Sequence, residues 1–474
     1  MAFTKAEQVA LAEAHKLNRN SEGLADFIRR MTPHEAPPRH VMPLIRLLER
    51  CRHETVRAVV SQPPRHAKTV TITNGIAWWL SQSPADTHAY VSYNDTQAIS
   101  KSGPMRALAR RAGVSLLDDS ASKAEWRTAY GGGVLARGIG SGLTGSGISG
   151  LMVVDDAVKN FEEASSQLAR DNTHDWFTSV AMTRLEGASV LVNATRWHED
   201  DLIGRLIDQG WESLNLPAIA EADDPIGRQP GEALWPERYP LKQCEDPTCS
   251  HAGHLETIRK TIGEFMFASL YQGRPRPRGH AVFGKPTYYD ATTFDITGKQ
   301  IIVYADPAAT AKTSGDHSAI IALAVEGSDP ATMRAWVLEV DRERRSVPKF
   351  MDDLRAFEKR WGSTGALVEA FGMAKAIPQM LDKVDPGAIE GDTPVGDKFT
   401  RAQPVAAAWN DPDGSRVLVP MEAPWLQDFL REVARFTGVN DKEDDQCDCL
   451  SGAWNSVAPV AVYHRLKTRA PRRL

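Results

Sequence analysis

No run of 18 consecutive apolar residues occurs in the 474-residue chain, so no segment reads as a membrane-spanning helix and no membrane partner is expected. Cysteine is scarce, with five residues in all. That excludes a disulfide framework and makes a reducing cytosol the simplest compartment. An excess of basic charge is also missing, the net charge being -5, so any contact with nucleic acid has to rest on local patches. Met1 to Arg30 is a polar, helical stretch rather than a signal peptide, and no internal repeat is evident. What remains, 42% hydrophobic and 25% charged residues, is the balance of a globular protein, and the length calls for two or more cores.

Helical periodicity fills the first fifty residues, with apolar stripes at Leu24, Phe27, Ile28 and at Leu44, Ile45, Leu47, Leu48. Strand and helix then alternate. Strands are expected at Val56–Val60, His88–Ser92, Val134–Ile139, Leu151–Val154 and Ser189–Ala194. Helices are expected at Thr69–Leu80, Thr96–Ala112 and Asp200–Gln209. This order predicts an α/β domain with a mostly parallel sheet over residues 1–216. Residues 217–285, rich in proline and glycine, read as an interdomain linker or lid. Alternation resumes over 286–474, with strands at Gln300–Tyr304, Ser318–Val325, Arg334–Val340 and Gly365–Val368. The helices there are Val347–Arg360, Ala374–Val384, Trp425–Arg435 and Cys447–Val457, before a basic tail from Arg465 to Leu474.

Binding a nucleotide's phosphates takes a tight loop, bare backbone N–H groups, a cation and a hydroxyl for Mg²⁺. Pro63-Pro64-Arg65-His66-Ala67-Lys68-Thr69, between the first strand and its helix, offers these parts. Arg65, His66 and Ala67 form the loop, Lys68 reaches for the β and γ phosphates of ATP, and Thr69 ligates the metal. Glycine is lacking here as well, since Gln62 and Ala67 stand where the usual pattern has it. Leu151-Met152-Val153-Val154-Asp155-Asp156 is a buried strand delivering two carboxylates to its end. Asp155 would hold Mg²⁺ and Asp156 orient the attacking water. Thr195, at the end of a further strand, either senses the γ phosphate or caps the next helix, a task open equally to Asp200.

Two ions about 4 Å apart can cut a phosphodiester when several carboxylates from separate elements hold them. Asp306 ends one strand, Glu369 a later one, and Asp448, with Asp445 nearby, opens the last helix. Acid on strand one, on a later strand and on the last helix is the order of ribonuclease H-like folds, here with a mixed sheet. Mg²⁺, or Mn²⁺ in its place, is the expected metal. Asp316 is a candidate outer acid, and Lys398 and Arg401 either hold a phosphate or are solvated. In the linker, Cys244, Cys249, His251 and His254 either close a structural Zn²⁺ site or form a polar loop with unpaired thiols.

Pro-Pro-Arg-His-Ala-Lys-Thr, Val-Val-Asp-Asp-Ala-Val-Lys-Asn, Ala-Thr-Arg-Trp-His-Glu-Asp-Asp-Leu and Gly263 to Gln272 resemble the large terminase subunits of tailed bacteriophages and prophages, over most of residues 40–460. The resemblance implies a motor that drives double-stranded DNA into procapsids and a nuclease that cuts concatemers at Asp306, Glu369 and Asp448. It implies a ring, pentameric in expectation, on the portal protein, with the small terminase subunit as partner, in the host cytoplasm. Many relatives carry an arginine where Ser146 stands, so either a finger acting across the ring passes to another residue, Arg137 being nearest, or the finger assignment fails; Arg65 is a second candidate for contacting phosphate. Two other readings stay open: a helicase-like translocase without cleavage, and an inactive prophage assembly protein.

Overall fold

Helices α1 (Leu24–Met31) and α2 (Met42–Cys51) bury the two apolar stripes against α3 (Lys68–Gln82), the helix that follows the loop of residues 62–67. The computed structural model describes residues 22–32, 37–117, 122–143, 147–242, 251–276, 281–307, 317–363, 366–369, 389–394, 396–439 and 441–457. The chain divides into two compact units, Met1–Leu255 with Ala268–Arg276, and Glu256–Phe267 with Pro277–Leu474.

The first unit is built on a seven-stranded sheet. Its strands are β1 (Arg57–Ser61), β2 (Thr87–Ser92), β3 (Glu125–Arg127), β4 (Gly133–Gly138), β5 (Leu151–Asp155), β6 (Ser189–Ala194) and β7 (Glu212–Asn215). They lie in the order β3-β4-β2-β5-β6-β1-β7, all pairs parallel except β3 with β4. The central strands are apolar on both faces, as a parallel sheet covered by helices requires. Ala58, Val60, Tyr90, Val153 and Leu191 face α1–α3 and α4 (Asp95–Arg111). Val59, Val91, Met152, Val154 and Val192 face the other layer. That layer holds α6 (Gln167–Trp176), which follows the short α5 (Phe161–Ser165), and α7 (Leu202–Asp208).

The expected linker 217–285 is shared between the units rather than standing apart. In the first unit its backbone is paired: Ala218 N donates to Tyr271 O at 2.7 Å, and Gln272 binds both backbone groups of Ile219 at 2.9 and 3.0 Å. Polar and proline-rich composition hid this, because the pairing lies between segments far apart in sequence. The helical segment α8 (Leu255–Leu270) is broken at Gly263, whose φ of 82° lies in the left-handed region.

The second unit carries its own seven-stranded sheet. In chain order its elements are β8 (Thr287–Tyr289), β9 (Gln300–Asp306), β10 (Ser318–Glu326), β11 (Arg334–Glu343), α9 (Val347–Trp361), β12 (Ala366–Glu369), β13 (Ile389–Asp392), α10 (Lys398–Trp409), β14 (Val417–Pro420), α11 (Leu426–Arg435) and α12 (Asp445–Val457). The order is β13-β12-β9-β10-β11-β14-β8. β9, β10 and β11 form an antiparallel meander, and β12 then β13 add in parallel beside β9. That is the ribonuclease H-like arrangement, with β14 and β8 extending the far edge in parallel. Tyr304, Ile321 and Leu323 face α10, α11 and α12, whereas Val303, Ala305 and Ile320 face Phe350, Leu354 and Phe357 of α9.

β3, β7, β8, β13, β14 and the helices α5, α6, α8 and α10 stand outside the elements the sequence pattern predicts. The strands are three or four residues long, and β7 (Glu-Ser-Leu-Asn) has no apolar alternation. Pro404 inside α10 broke the helical pattern. Asp201, not Asp200, caps α7, accepting Gly204 N at 2.9 Å. The expected helix 374–384 and the tail 465–474 lie outside the described residues.

Three histidines in the first unit are buried and neutral. Burial pulls His40 and His66 down to about 4 and His88 to about 3. The unfolded chain therefore takes up protons below about pH 6.5 that the folded one refuses, so stability is full above that pH and is lost as pH falls toward 4. His88 Nδ1 accepts Leu151 N at 3.0 Å, a role Asn can take over without titrating. Urea unfolding of His88→Asn across pH 4–6.5 is expected to show a pH slope shallower than wild type by about 1.4 kcal/mol per pH unit. Parallel slopes would show that His88 holds its proton after all.

Candidate active sites

β1 ends at Ser61 and the chain turns through residues 62–67 into α3. Arg65 and Ala67 have φ of 61° and 66°, the left-handed region that glycine normally supplies at a cost of about 1–2 kcal/mol to other residues. Side chains hold the loop instead. Gln62 is buried and donates Nε2 to His66 O, and His40 Nε2 lies 2.9 Å from the same oxygen. The His66 ring stacks on Tyr239, with centroids 4.6 Å apart. Arg65 is exposed beside the loop.

β6 lies between β1 and β5, and this brings the sequence motifs together. Lys68 is 6% exposed. Its Nζ donates to Thr195 Oγ1 at 2.6 Å and lies 3.4 Å from Asp156 Oδ1. Thr69 Oγ1 donates to Asp155 Oδ2 at 3.0 Å. Asp156 has a φ of 49° and accepts Thr195 N at 3.3 Å. Strain of this kind is held where the surroundings over-determine it, as at functional sites. Asp155 is fixed by two residues that sequence reasoning missed, Tyr90 and Asn193, both of which donate to it. Burial, then the neighbouring Asp156, raises its pKa, and Lys68, Tyr90 and Asn193 pull against that rise. A carboxylate made uncomfortable by its surroundings, beside a hydroxyl at a helix N-terminus, suits Mg²⁺ and a phosphate.

Beyond Thr195, Arg196 pairs with Asp201 at 2.8 Å. Asp200 binds Arg170 of α6 at 3.2 Å and Arg205 of α7 at 2.7 Å. The segment after the γ-phosphate candidate is thus tied to two helices. Arg137, the expected substitute finger, is held at home by Ala124 O at 2.6 Å and Glu125 at 3.0 Å. Thr144 to Ser146 lie outside the described residues.

In the second unit, Asp306 ends β9 and Glu369 ends β12, its parallel neighbour, where Val368 pairs with Ala305. Tyr304 and Leu367, two residues earlier, contribute to the core under α10 and α12, so the period of two puts both acids on that face. α12 comes close there because Gly452 lies on the Tyr304 ring: a Cβ at Gly452 would stand 2.2 Å from it. Asp448, one turn before Gly452, thereby reaches the strand ends. Asp392, unforeseen because β13 was, pairs in register with Glu369 and accepts Tyr304 Oη at 2.9 Å.

Burial, then Glu369, Asp448 and Asp445, pushes Asp306 well above the carboxylate range, while Lys398 opposes. Burial raises Glu369 as well, against Arg401. Asp445 is raised by burial and tied to Arg342 at 3.1 Å. Between the acids stand two cations. Arg401 donates to Glu369 Oε2 at 3.0 Å and Asp448 Oδ1 at 2.9 Å. Lys398 lies 2.7 Å from Asp444 and 2.8 Å from Asp448 Oδ2. Among the described residues no three His, Cys, Asp or Glu side chains converge on one ion position; Arg401 and Lys398 stand paired with the acids instead. The donors fit a hard divalent cation nonetheless: all are carboxylate oxygens, and at Asp306 burial and repulsion outweigh Lys398. Of the expected zinc ligands, Cys244 and Cys249 lie outside the described residues, as does Asp316. His251 Nδ1 is 3.1 Å from Glu237 O, and its ring lies 5.9 Å from that of His254.

No family model matches the chain. No curated protein matches it either. Among solved structures it is similar to the large terminase of a thermophilic bacteriophage, with 11% identity over 85% of this chain and 94% of that one and a TM-score of 0.49. It is similar to the large terminase of bacteriophage HK97, with 13% identity, 92% and 99% coverage and a TM-score of 0.37. The human cytomegalovirus terminase nuclease domain is similar to 35% of this chain, over 88% of its own length, at 13% identity and a TM-score of 0.27.

Proposed function

We propose that the chain is a large terminase subunit, a motor that hydrolyses ATP to drive double-stranded DNA into a procapsid and a nuclease that cuts the concatemer. The observation that carries the reading is the presence in one chain of both constellations: Lys68 on Thr195 and Asp156 in the first unit, and Asp306, Glu369 and Asp448 gathered at the strand ends of the second.

In the motor, Lys68 and the N–H groups at the start of α3 hold the phosphates of ATP, Thr69 and Asp155 hold Mg²⁺, and Asp156 orients the attacking water. Arg65, His66 and Ala67 shape the loop. Thr195 exchanges its bond to Lys68 for the γ phosphate, and Asp200 and Asp201 carry its shift to α6 and α7. In the nuclease, Asp306, Glu369 and Asp448 hold the ions, with Asp445 close by. Mg²⁺ or Mn²⁺ there supplies an activated water and charge stabilisation at the leaving oxygen. Contacts to DNA are mainly to phosphates. The chain works as a ring on the portal protein, loaded with the small terminase subunit, in the host cytoplasm.

The test is packaging of linear duplex into portal-bearing procapsids, read as DNase-protected DNA. Glu369→Ala is expected to package pre-cut DNA at close to the wild-type level, since no cut is needed before translocation. Failure of the wild-type chain to protect any DNA while ATP is hydrolysed would overturn the packaging role.

A further inference from the structure

Helix α10 directs two cations, one turn apart, into the carboxylate cluster. Arg401 bridges Glu369 and Asp448, and Lys398 bridges Asp444 and Asp448. Both oxygens of Asp448 are engaged, one by each cation. The Arg401 side chain is 11% exposed and that of Asp448 2%, so this is not the solvent-screened pair whose worth is near zero. It is a desolvated network in which a departing partner leaves a bare charge behind. Arginine does not lose its proton, so Arg401 can release Glu369 and Asp448 only to another cation, and only if a second anion receives it.

Resting on the nuclease reading above, we propose that Arg401, assisted by Lys398, is an exchangeable counter-ion that couples metal binding to DNA binding. With neither ligand present, the two side chains hold the acids together. When a divalent cation takes the carboxylate oxygens, Arg401 and Lys398 turn to the DNA phosphates, for which a guanidinium fork and an ammonium are well matched. Each ligand vacates what the other needs. Linkage makes this reciprocal, and couplings of this kind amount to roughly 5–150-fold in affinity. Lys398 is 45% exposed and makes the first phosphate contact. The arrangement keeps the nuclease unloaded when no duplex lies in its cleft.

The experiment is an Mn²⁺ titration, followed by electron paramagnetic resonance, of the full metal-stripped chain without nucleotide. It is run with and without a phosphorothioate duplex that resists cutting. Wild type is expected to bind Mn²⁺ about 10-fold more tightly with the duplex. Arg401→Gln is expected to bind it about 10-fold more tightly than wild type without duplex, and to gain little from adding it. An Arg401→Gln chain with wild-type circular dichroism that binds Mn²⁺ no more tightly than wild type overturns the proposal and leaves Arg401 a structural bridge. Should Arg401→Gln not fold, Lys398→Gln carries the same expectation at smaller size. Glu369→Gln separates the two levels. If it leaves Mn²⁺ binding unchanged, the metal site itself is wrong, and the nuclease reading falls together with the counter-ion.

Discussion

Replacing Glu369 with alanine is expected to abolish Mn²⁺-dependent nicking of supercoiled plasmid by the full chain, by roughly 10²–10³-fold or more, the scale on which one lost transition-state stabiliser is felt. The side chain sits at the end of β12 beside Asp306, with its pKa raised by burial and by Asp448 against the pull of Arg401. Removing it takes away one of the three carboxylates proposed to hold the metal and frees one arm of Arg401. Glu369→Gln is the sharper form, because its amide oxygen still accepts from Arg401 at the place where Oε2 now does, 3.0 Å away, while the charge that binds metal is gone. Both variants are expected to keep the wild-type fold, checked by circular dichroism, since Glu369 stands at a sheet end and Arg401 keeps its bond to Asp448. Undiminished cutting by either would mean a contaminating nuclease or a wrong set of acids. Absence of cutting by the wild type would shift weight to a translocase without cleavage.

Lys68→Ala is expected to lower ATP hydrolysis by about 10³-fold, because the cation that meets the transferring phosphoryl group is lost. The same substitution empties the place between Thr195 and Asp156, so binding and the sensing bond fail together. Lys68 is the first residue of α3 and makes no contribution to the apolar core, so the fold is expected to survive. Nicking in Mn²⁺ without ATP should be unchanged, which separates the two sites within one sample. Hydrolysis that stays within 10-fold of wild type would remove Lys68 from the motor.

How much of this was legible in the sequence depended on whether a residue acts where the chain is locally regular. Asp155 and Asp306 stand at the ends of apolar runs that announce buried strands, Lys68 follows another by one short loop, and the alternation around them announced both α/β units. Tyr90 and Asn193 are buried inside such runs, where nothing separates a ligand-orienting group from ordinary core, and only the neighbouring strand reveals what they hold. Asp392 was lost with β13, too short to show a period. Arg401 and Lys398 were visible as charges but not as partners, because α10 is disguised by Pro404 and its targets lie 32 to 50 residues away (Glu369 and Asp448). Gln62 and Ala67 looked like defects in a glycine loop. In the fold they are its replacement, one bracing the turn and the other adopting the left-handed geometry.

The row Val60, Asn193, Asp155 across β1, β6 and β5 acts as a ruler. Strands stand about 4.8 Å apart, so the loop that ends in the ammonium and the strand that ends in the carboxylates are set two graduations from each other, whatever the loops around them do. Lysine is long enough to span one graduation to Thr195 and lean toward the next, and a shorter cation is not. A single-residue slip of β6 turns Thr195 to the opposite face and takes Asn193 from Asp155 with it. Insertions are therefore tolerable in the loops between these strands and intolerable within the strand that separates them.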